Sequence, residues 1–186
     1  MHSLQGFTLL ELLFTVLIMS LLMTLGVPQL SLFIDQNEAS ALQKTLIQHI
    51  AIAKSSAANS GRIVTLCPST AYLECEGSWT QGSMVFIDRN SNRKVDLDDS
   101  VIRIRKDDLR LGELEWRAFG RRKYLQFSPM GFLLHQSGNF TYCHHDGNAT
   151  LARQLIVNGT GRVRIAIDSD GDSIREGSNG KPIACA

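Results

Sequence analysis

The residues with the greatest capacity for chemistry in this 186-residue chain are its cysteines. There are four, all after residue 60: Cys67, Cys75, Cys143 and Cys185. An even number of cysteines is typical of an exported domain that is stabilised by disulfides. Three pairings are possible. We favour Cys67–Cys75, which closes the loop between them, together with Cys143–Cys185, which attaches the tail to a central strand.

A zinc site is the alternative use of Cys143, with His144 and His145 as further ligands. Consecutive residues of a strand point in opposite directions and no CxxC spacing accompanies them, so disulfides are the better interpretation. The five histidines are scattered, and no G-x-S-x-G, H-E-x-x-H or P-loop pattern is present. We therefore expect neither an enzyme nor a cofactor or metal centre.

Two acidic segments can be read either as cation sites or as turns. From Asp88 to Asp99, oxygen-bearing side chains match several ligand positions of an EF-hand calcium loop. However, Arg93 stands where that loop requires glycine, and Asp99 stands where it requires the longer glutamate. The second segment, from Asp168 to Asp172, offers fewer ligands. Because Asn and Asp also form tight turns without a metal, we favour turns for both segments.

Basic residues are concentrated in one block of the chain. The net charge is +1, but residues 101–164 carry 11 basic and 5 acidic residues. In the segment Arg162–Ile167, strand alternation places Arg162 and Arg164 on one face and Val163, Ile165 and Ile167 on the other. Alternation likewise predicts that Arg103 and Arg105 project together from the segment 101–105, and Arg121, Arg122 and Lys123 form a compact cluster. Each group is compatible with a solvated face, but three groups in one block favour a shared acidic partner.

An apolar run precedes all of these residues in the chain. It extends from Phe7 to Leu25 and has 19 residues and one charge, Glu11. Its length suits a single transmembrane helix. A carboxylate within such a span is costly unless it is paired, so it usually has a function. A secretory signal peptide would have a shorter run, a basic leader and a small-residue cleavage site, and none of these is present.

The helical pattern continues beyond Pro28 to about Ala58 and ends at Asn59-Ser60-Gly61. Its apolar stripe consists of Leu30, Phe33, Ile34, Ala41, Leu42, Leu46, Ile50 and Ala53. After Gly61 the period becomes alternating and predicts short strands at 62–67, 83–88, 101–105, 123–127, 139–143, 154–157 and 162–167. The expected fold class is α+β, with a long N-terminal helix, transmembrane and then amphipathic, packed on an antiparallel sheet. A content of 44% hydrophobic and 20% charged residues excludes wholesale disorder and a multi-span membrane protein.

The segment Gly6-Phe7-Thr8-Leu9-Leu10-Glu11 resembles the class III signal of type IV pilins and type II secretion pseudopilins, and Pro28 matches the helix proline of that family. The resemblance implies that prepilin peptidase cleaves after Gly6 and methylates the amino group of Phe7. Glu11 would then accept a charge-assisted hydrogen bond from the free amino group of Phe7 in a neighbouring subunit. That pairing would set the axial register during assembly.

Four further segments resemble landmarks of the GspH/FimT-like minor pilins and occur in the same order, so the resemblance covers essentially the whole chain. They are Thr65–Ser69, Val85–Asp88, Phe127–Gly131 and Gly161–Arg164. FimT-like members are associated with DNA binding during natural transformation, through a Gly-Arg-x-Arg element that is Gly161–Arg164 here. The resemblance thus implies a competence-related minor pilin that binds DNA without sequence specificity. Arg162 and Arg164 would make the main contacts with DNA, and Arg121, Arg122 and Lys123 would add to them.

FimU-like pilins and type II secretion pseudopilins carry similar landmarks, so a purely structural role in priming a fibre remains the alternative. The expected organisation is a leader peptide at 1–6, a transmembrane half-helix at 7–29, an amphipathic half-helix at 30–60 and a β-rich domain at 61–186. The precursor would span the bacterial inner membrane once, with its C-terminal domain in the periplasm, and would reach the surface in the pilus. Expected partners are other pilins, prepilin peptidase and double-stranded DNA.

Overall fold

The computed structural model describes residues 7–106, 109–118, 120, 122–135 and 137–185. It divides into two compact units, one up to Asn37 and one from Glu38 onwards. Helix α1 runs from Leu9 to Ser60. At its start the Thr8 hydroxyl accepts a hydrogen bond from the main-chain N–H of Glu11, as an N-cap residue does. It ends before Gly61, whose φ of +62° cannot continue a right-handed helix.

The N-terminal unit consists of the apolar part of α1. The structure contains one helix that is long and apolar enough to cross a membrane, with a mean hydropathy of 2.2 over its most apolar window. Side chains are exposed all round this part of the helix, as expected for a segment made for a non-aqueous environment. Leu30, Phe33 and Ile34 are exposed as well. The prediction that they start the buried stripe was wrong, because they precede the compact domain.

The second half of α1 supplies a buried stripe to the C-terminal unit. Its members recur at three- and four-residue steps: Ala39, Leu42, Leu46, His49, Ile50, Ala53 and Ala57. Ala41, which the sequence placed on the stripe, is exposed, and His49 is buried in its place. Adjacent residues of a helix are about 100° apart, which places Ala41 to one side of the face that Leu42 occupies, whereas His49 shares that face because it lies three residues after Leu46 and four before Ala53.

In the part of the chain that the structure describes, eight strands form two four-stranded antiparallel sheets. The strands are β1 Val64–Pro68, β2 Ser83–Ile87, β3 Ser100–Arg105, β4 Gly112–Ala118, β5 Leu125–Phe127, β6 Gly138–His144, β7 Arg153–Val157 and β8 Val163–Ile165. The first sheet has the order β3-β2-β1-β5 and the second has the order β4-β6-β7-β8. The predicted α+β class is confirmed, although two sheets are present where one was expected.

Strand β4 is absent from the sequence-based assignment even though it alternates cleanly. Gly112, Leu114 and Trp116 are buried, whereas Glu113 and Glu115 are exposed. A strand with one solvated face follows this pattern. It pairs with β6 and forms an edge strand of the second sheet, with β7 on the other side of β6.

The core lies between the α1 stripe and the inner faces of both sheets. Val64 and Leu66 on β1 join the cluster around Leu46 and Ile50, whereas Cys67 faces a smaller cluster with Met84 and Phe86 on β2. Strand β1 is therefore buried on both faces. Three aromatic rings also pack together in the core: Phe140 lies 4.7 Å from Trp79 and 4.6 Å from Trp116, measured between ring centroids.

Two disulfides are present in the structure. One joins Cys67 to Cys75 across eight residues. The other joins Cys143 on β6 to Cys185 across 42 residues and so attaches the tail to the second sheet. These are the pairs favoured by the sequence.

Candidate functional site

The N-terminal residues that the sequence assigned to processing and assembly lie at the start of α1. Phe7 precedes the helix and is 84% exposed, and Glu11 is exposed in the first turn. The helix continues through Pro28. Gly6 lies outside the described residues, and the roles of these four residues remain predictions.

The Gly161–Arg164 element begins in the turn between β7 and β8. Gly161 is buried and has a φ of +70°, and an added Cβ would lie 2.8 Å from the carbonyl oxygen of Gly131. The Asn158 side chain accepts a hydrogen bond from the main-chain N–H of Arg162 at 2.9 Å. Lys54 on α1 donates from its Nζ to the carbonyl oxygen of Thr160 at 3.0 Å. Glycine, an Asx-type hydrogen bond and the helix therefore hold this turn in one conformation.

Arg162 and Arg164 project from the edge of the second sheet. Both side chains are exposed, and β8 pairs only with β7 in that sheet. Within the described residues, neither arginine forms an ion pair. Ile165 and Ile167, which alternation placed on the face opposite the arginines, are 41% and 64% exposed. The structure buries Ala166 instead, because β8 ends at Ile165 and the alternation stops there.

Arg122 and Lys123 lie just before β5, at the edge of the other sheet, and both are exposed. They line an open groove of 610 Å³ with Arg93 and Lys94. Arg121 lies outside the described residues. The structure thus places the predicted basic groups on two different sheets. It also places Arg93 and Lys94, which the sequence suggested only as part of an acidic loop, beside Arg122 and Lys123.

The prediction that Arg103 and Arg105 project together from β3 was wrong. Arg103 is exposed, but Arg105 is only 3% exposed. Its guanidinium donates hydrogen bonds to the carbonyl oxygen of Trp79 and to the Ser83 hydroxyl. The register with β2 is regular from Arg103 to Arg105 and shifts only at Ile102, so the burial of Arg105 comes from these contacts with Trp79 and Ser83 rather than from a change in alternation.

The two acidic segments form turns. In the first, the side-chain amides of Asn90 and Asn92 both donate to Asp96. In the second, Asp168 accepts hydrogen bonds from the main-chain N–H groups of Gly171 and Ser173. The carboxylates of this second turn also converge, since one oxygen from each lies within 4.8 Å of the others: Asp168, Asp170, Asp172 and Glu176.

Cys143 cannot serve as a zinc ligand, because its sulfur is bonded to that of Cys185. Of the two histidines that follow Cys143, His144 is buried and His145 is exposed. The buried His144 places its Nδ1 3.5 Å from a carboxylate oxygen of Asp146. These residues therefore stabilise the end of β6 and the tail.

An apolar helix that continues into a domain of two antiparallel sheets defines a pilin-like subunit. The family model described as type II transport protein GspH matches residues 43–161, and the chain belongs to this family. The model described as the prokaryotic N-terminal methylation motif matches residues 1–27. The chain is therefore a membrane-anchored minor pilin or pseudopilin with a role in a type IV pilus or type II secretion. Its class consists of structural subunits that undergo prepilin processing and assemble with other pilins.

Solved structures share this fold. The type IV minor pilin FimU of Pseudomonas aeruginosa is 18% identical, with a TM-score of 0.56 over 73% of this chain and 92% of that chain. The minor pseudopilin EpsH from the type 2 secretion system of Vibrio cholerae is 10% identical, with a TM-score of 0.52 over 73% of this chain and 99% of that chain. No curated protein matches the chain.

Proposed function

We propose that this chain is a minor pilin of a type IV pilus that binds double-stranded DNA without sequence specificity, for uptake in natural transformation. The observation that carries the proposal is the pair Arg162 and Arg164, exposed at a sheet edge and without an ion pair in the described part of the chain. An unpaired guanidinium gains most from a phosphate, because it gives up no existing partner.

The presentation of the two arginines suits contacts with a phosphate backbone. Residues two apart on a strand project on the same side about 6.5 Å apart. The turn before Arg162 is held by Gly161 and by the hydrogen bond from Lys54 to Thr160, so the pair needs little ordering on binding. Both side chains would contact phosphates rather than bases, and affinity should then depend on salt and little on sequence.

Processing and location complete the proposal. The precursor spans the inner membrane once with residues 7–29, keeps its β-rich domain in the periplasm and is cleaved after Gly6. Support comes from the match of residues 1–27 to the N-terminal methylation motif and from the apolar first half of α1. The methylated Phe7 would pair with Glu11 of a neighbouring subunit and bring the domain into the fibre.

The experiment is a salt series on the binding of duplex DNA by the full chain in non-ionic detergent. Three to five neutralised phosphates give a log–log slope of about −3 to −4.5. The variant Arg162→Gln with Arg164→Gln should reduce the slope by about two units. A matched control changes Arg89, in the loop after β2, and Arg103, on β3, to Gln, because both are exposed and their loss alters net charge equally.

A structural role without DNA is the second candidate. The fold is shared with the minor pilin FimU and the pseudopilin EpsH, and such a subunit would touch only other pilins. If the parent chain does not bind duplex DNA at low salt, this candidate replaces DNA binding. If the control variant loses as much slope as the Arg162 and Arg164 variant, the binding site lies elsewhere.

A further inference from the structure

An open groove lies beside the Cys67–Cys75 disulfide, between the loop that follows β2 and the segment that precedes β5. Its charged and aromatic lining consists of Glu74, Arg93, Lys94, Arg122, Lys123 and Tyr124. Four of these side chains are cationic and one is acidic. Segments 29 residues apart in sequence, at Arg93 and Arg122, therefore contribute to one basic surface.

The cations of the groove differ in their availability. Lys94 forms an ion pair with Glu74, with Nζ 2.9 Å from the carboxylate oxygen. The negative charges of Asp96 and Glu76 also stabilise its protonated form. Arg93, Arg122 and Lys123 are exposed and form no ion pair with residues that the structure describes. Three cationic groups of the groove are thus available to an anion.

Arg93 is held in place by its neighbours. Its φ of +65° lies in the left-handed region that non-glycine residues rarely occupy, and such strain is concentrated at functional sites. The main-chain N–H of Arg93 donates to the buried carboxylate of Asp88 at 3.2 Å. Its guanidinium donates to the Tyr124 hydroxyl at 3.2 Å and lies 5.1 Å from the centre of that ring. The backbone and the head group are therefore both oriented before any ligand arrives.

The surroundings of His135 indicate that the guanidiniums of Arg93 and Arg122 both affect one side chain beside the groove. Its ring lies edge-on to Tyr124, with the ring centroids 6.1 Å apart. Burial lowers the pKa of His135 below its ordinary value, and the charges of Arg122 and Arg93 lower it further. Two arginines from different segments thus produce a shared positive field beside the groove.

Resting on the DNA-binding function proposed above, we infer that this cationic groove binds phosphates of the duplex backbone, as a contact site separate from Arg162 and Arg164. Planar guanidiniums bind phosphate oxygens in pairs. Arg93 covers one face of Tyr124, the aromatic residue that lines the groove, which disfavours stacking of a base there. The groove would therefore contribute affinity and salt dependence without sequence preference.

The test compares three variants of the full chain in non-ionic detergent, with a 30-base-pair duplex as the probe. The groove variant changes Arg93, Arg122 and Lys123 to Gln. The matched control changes three exposed basic residues that do not line the groove: Arg62, Arg89 and Arg103. We expect the groove variant to lose about two to three units of salt slope and at least about tenfold in affinity at 50 mM salt, whereas the control loses much less.

A second variant protects the test against a folding defect at Arg93, whose backbone is strained. It changes only Arg122 and Lys123 and should lose about two units of slope. A second measurement follows the His135 pKa by NMR. Phosphates in the groove would offset the field of Arg93 and Arg122, so duplex DNA should raise this pKa. Binding at Arg162 and Arg164 alone would leave it unchanged.

The outcomes separate the two proposals. If the groove variants bind like the parent and only the Arg162 and Arg164 variant fails, the groove site is wrong and DNA binding stands. If the parent does not bind duplex DNA, both proposals fail. If poly-L-glutamate competes as well as DNA at equal charge and raises the His135 pKa equally, the groove is a site for an acidic peptide and the inference is overturned.

Discussion

Lys54 on helix α1 donates a hydrogen bond from its Nζ to the main-chain carbonyl oxygen of Thr160, 3.0 Å away and 106 residues later in the chain. Its aliphatic stem also lies against Gly161, where an added Cβ would come within 3.3 Å of the Lys54 Cδ. One side chain of the helix thus positions the turn that presents Arg162. The helix that anchors the subunit is therefore also part of the support for its proposed DNA contact.

The conformation of this turn predicts different effects for alanine substitutions at two nearby glycines. Gly161→Ala should lower the free energy of unfolding by about 1–3 kcal/mol, since a φ of +70° is strained for alanine and the new methyl group would meet the Gly131 carbonyl oxygen. Gly159→Ala should be nearly neutral, because its Cβ would have only the Ser137 hydroxyl at 3.9 Å. Urea denaturation of the two variants measures the difference. Equal stabilities would show that the turn is not constrained as described.

The two disulfides should differ in their contribution to stability. By loop-closure entropy, the bridge across 42 residues is worth about 4 kcal/mol and the bridge across eight residues about 2.5 kcal/mol. We therefore expect the Cys143→Ser, Cys185→Ser variant to unfold at lower urea than the Cys67→Ser, Cys75→Ser variant. Peptide mapping without reduction provides the control for the pairing. A free thiol at Cys185 in the parent would contradict the role of the second bridge.

His135 should titrate below its ordinary pKa of 6.5, because burial and then the charges of Arg122 and Arg93 disfavour its protonated form. The unfolded chain then binds more protons as the pH falls through this region, so the stability associated with His135 is complete above about pH 6.5 and declines below it. The associated change in the free energy of unfolding is small, because the burial of His135 is only partial and most of its side chain remains exposed. An NMR titration of Arg122→Gln should show a higher His135 pKa than the parent, and Arg103→Gln should leave it unchanged. A lower pKa in Arg122→Gln would contradict the cause.

The N-terminal motif predicts the chemical form of the mature chain. Mass spectrometry of fibres should find a chain that starts at N-methylated Phe7, without residues 1–6. Glu11→Gln should leave cleavage intact but reduce incorporation into fibres, because it removes the partner of the neighbouring amino group. Thr15→Ala is the control, since its hydroxyl bonds to the Leu12 carbonyl within the same helix. Any other mature N-terminus would rule out the predicted processing.

Much of this protein could be predicted from local patterns. The 3.6-residue period predicted α1 to within two residues of its end, and alternation predicted seven of the strands within the described residues, because both periods are set by backbone geometry over a few residues. The disulfides Cys67–Cys75 and Cys143–Cys185 were also predicted, the first because it closes the loop between its cysteines and the second because it attaches the tail to a strand. The motif from Gly6 to Glu11 and the Gly161–Arg164 element were likewise visible in the sequence, because each is a short contiguous segment.

The rest depended on contacts between distant segments. The split into two sheets depends on which strands pair, since β1 pairs with β2 and β5 whereas β6 pairs with β4 and β7. The burial of Arg105 follows from its hydrogen bonds to Trp79 and Ser83, and His49 is buried because it shares the core-facing side of α1 with Leu46 and Ala53. The groove that joins Arg93 to Arg122 exists because Val95 and Tyr124, which flank them in sequence, both pack against the cluster of Cys67, Met84 and Phe86 on one face of the first sheet. Local sequence determines which backbone period a segment adopts, but charge convergence and burial depend on which segments pack together, and only the tertiary fold decides that.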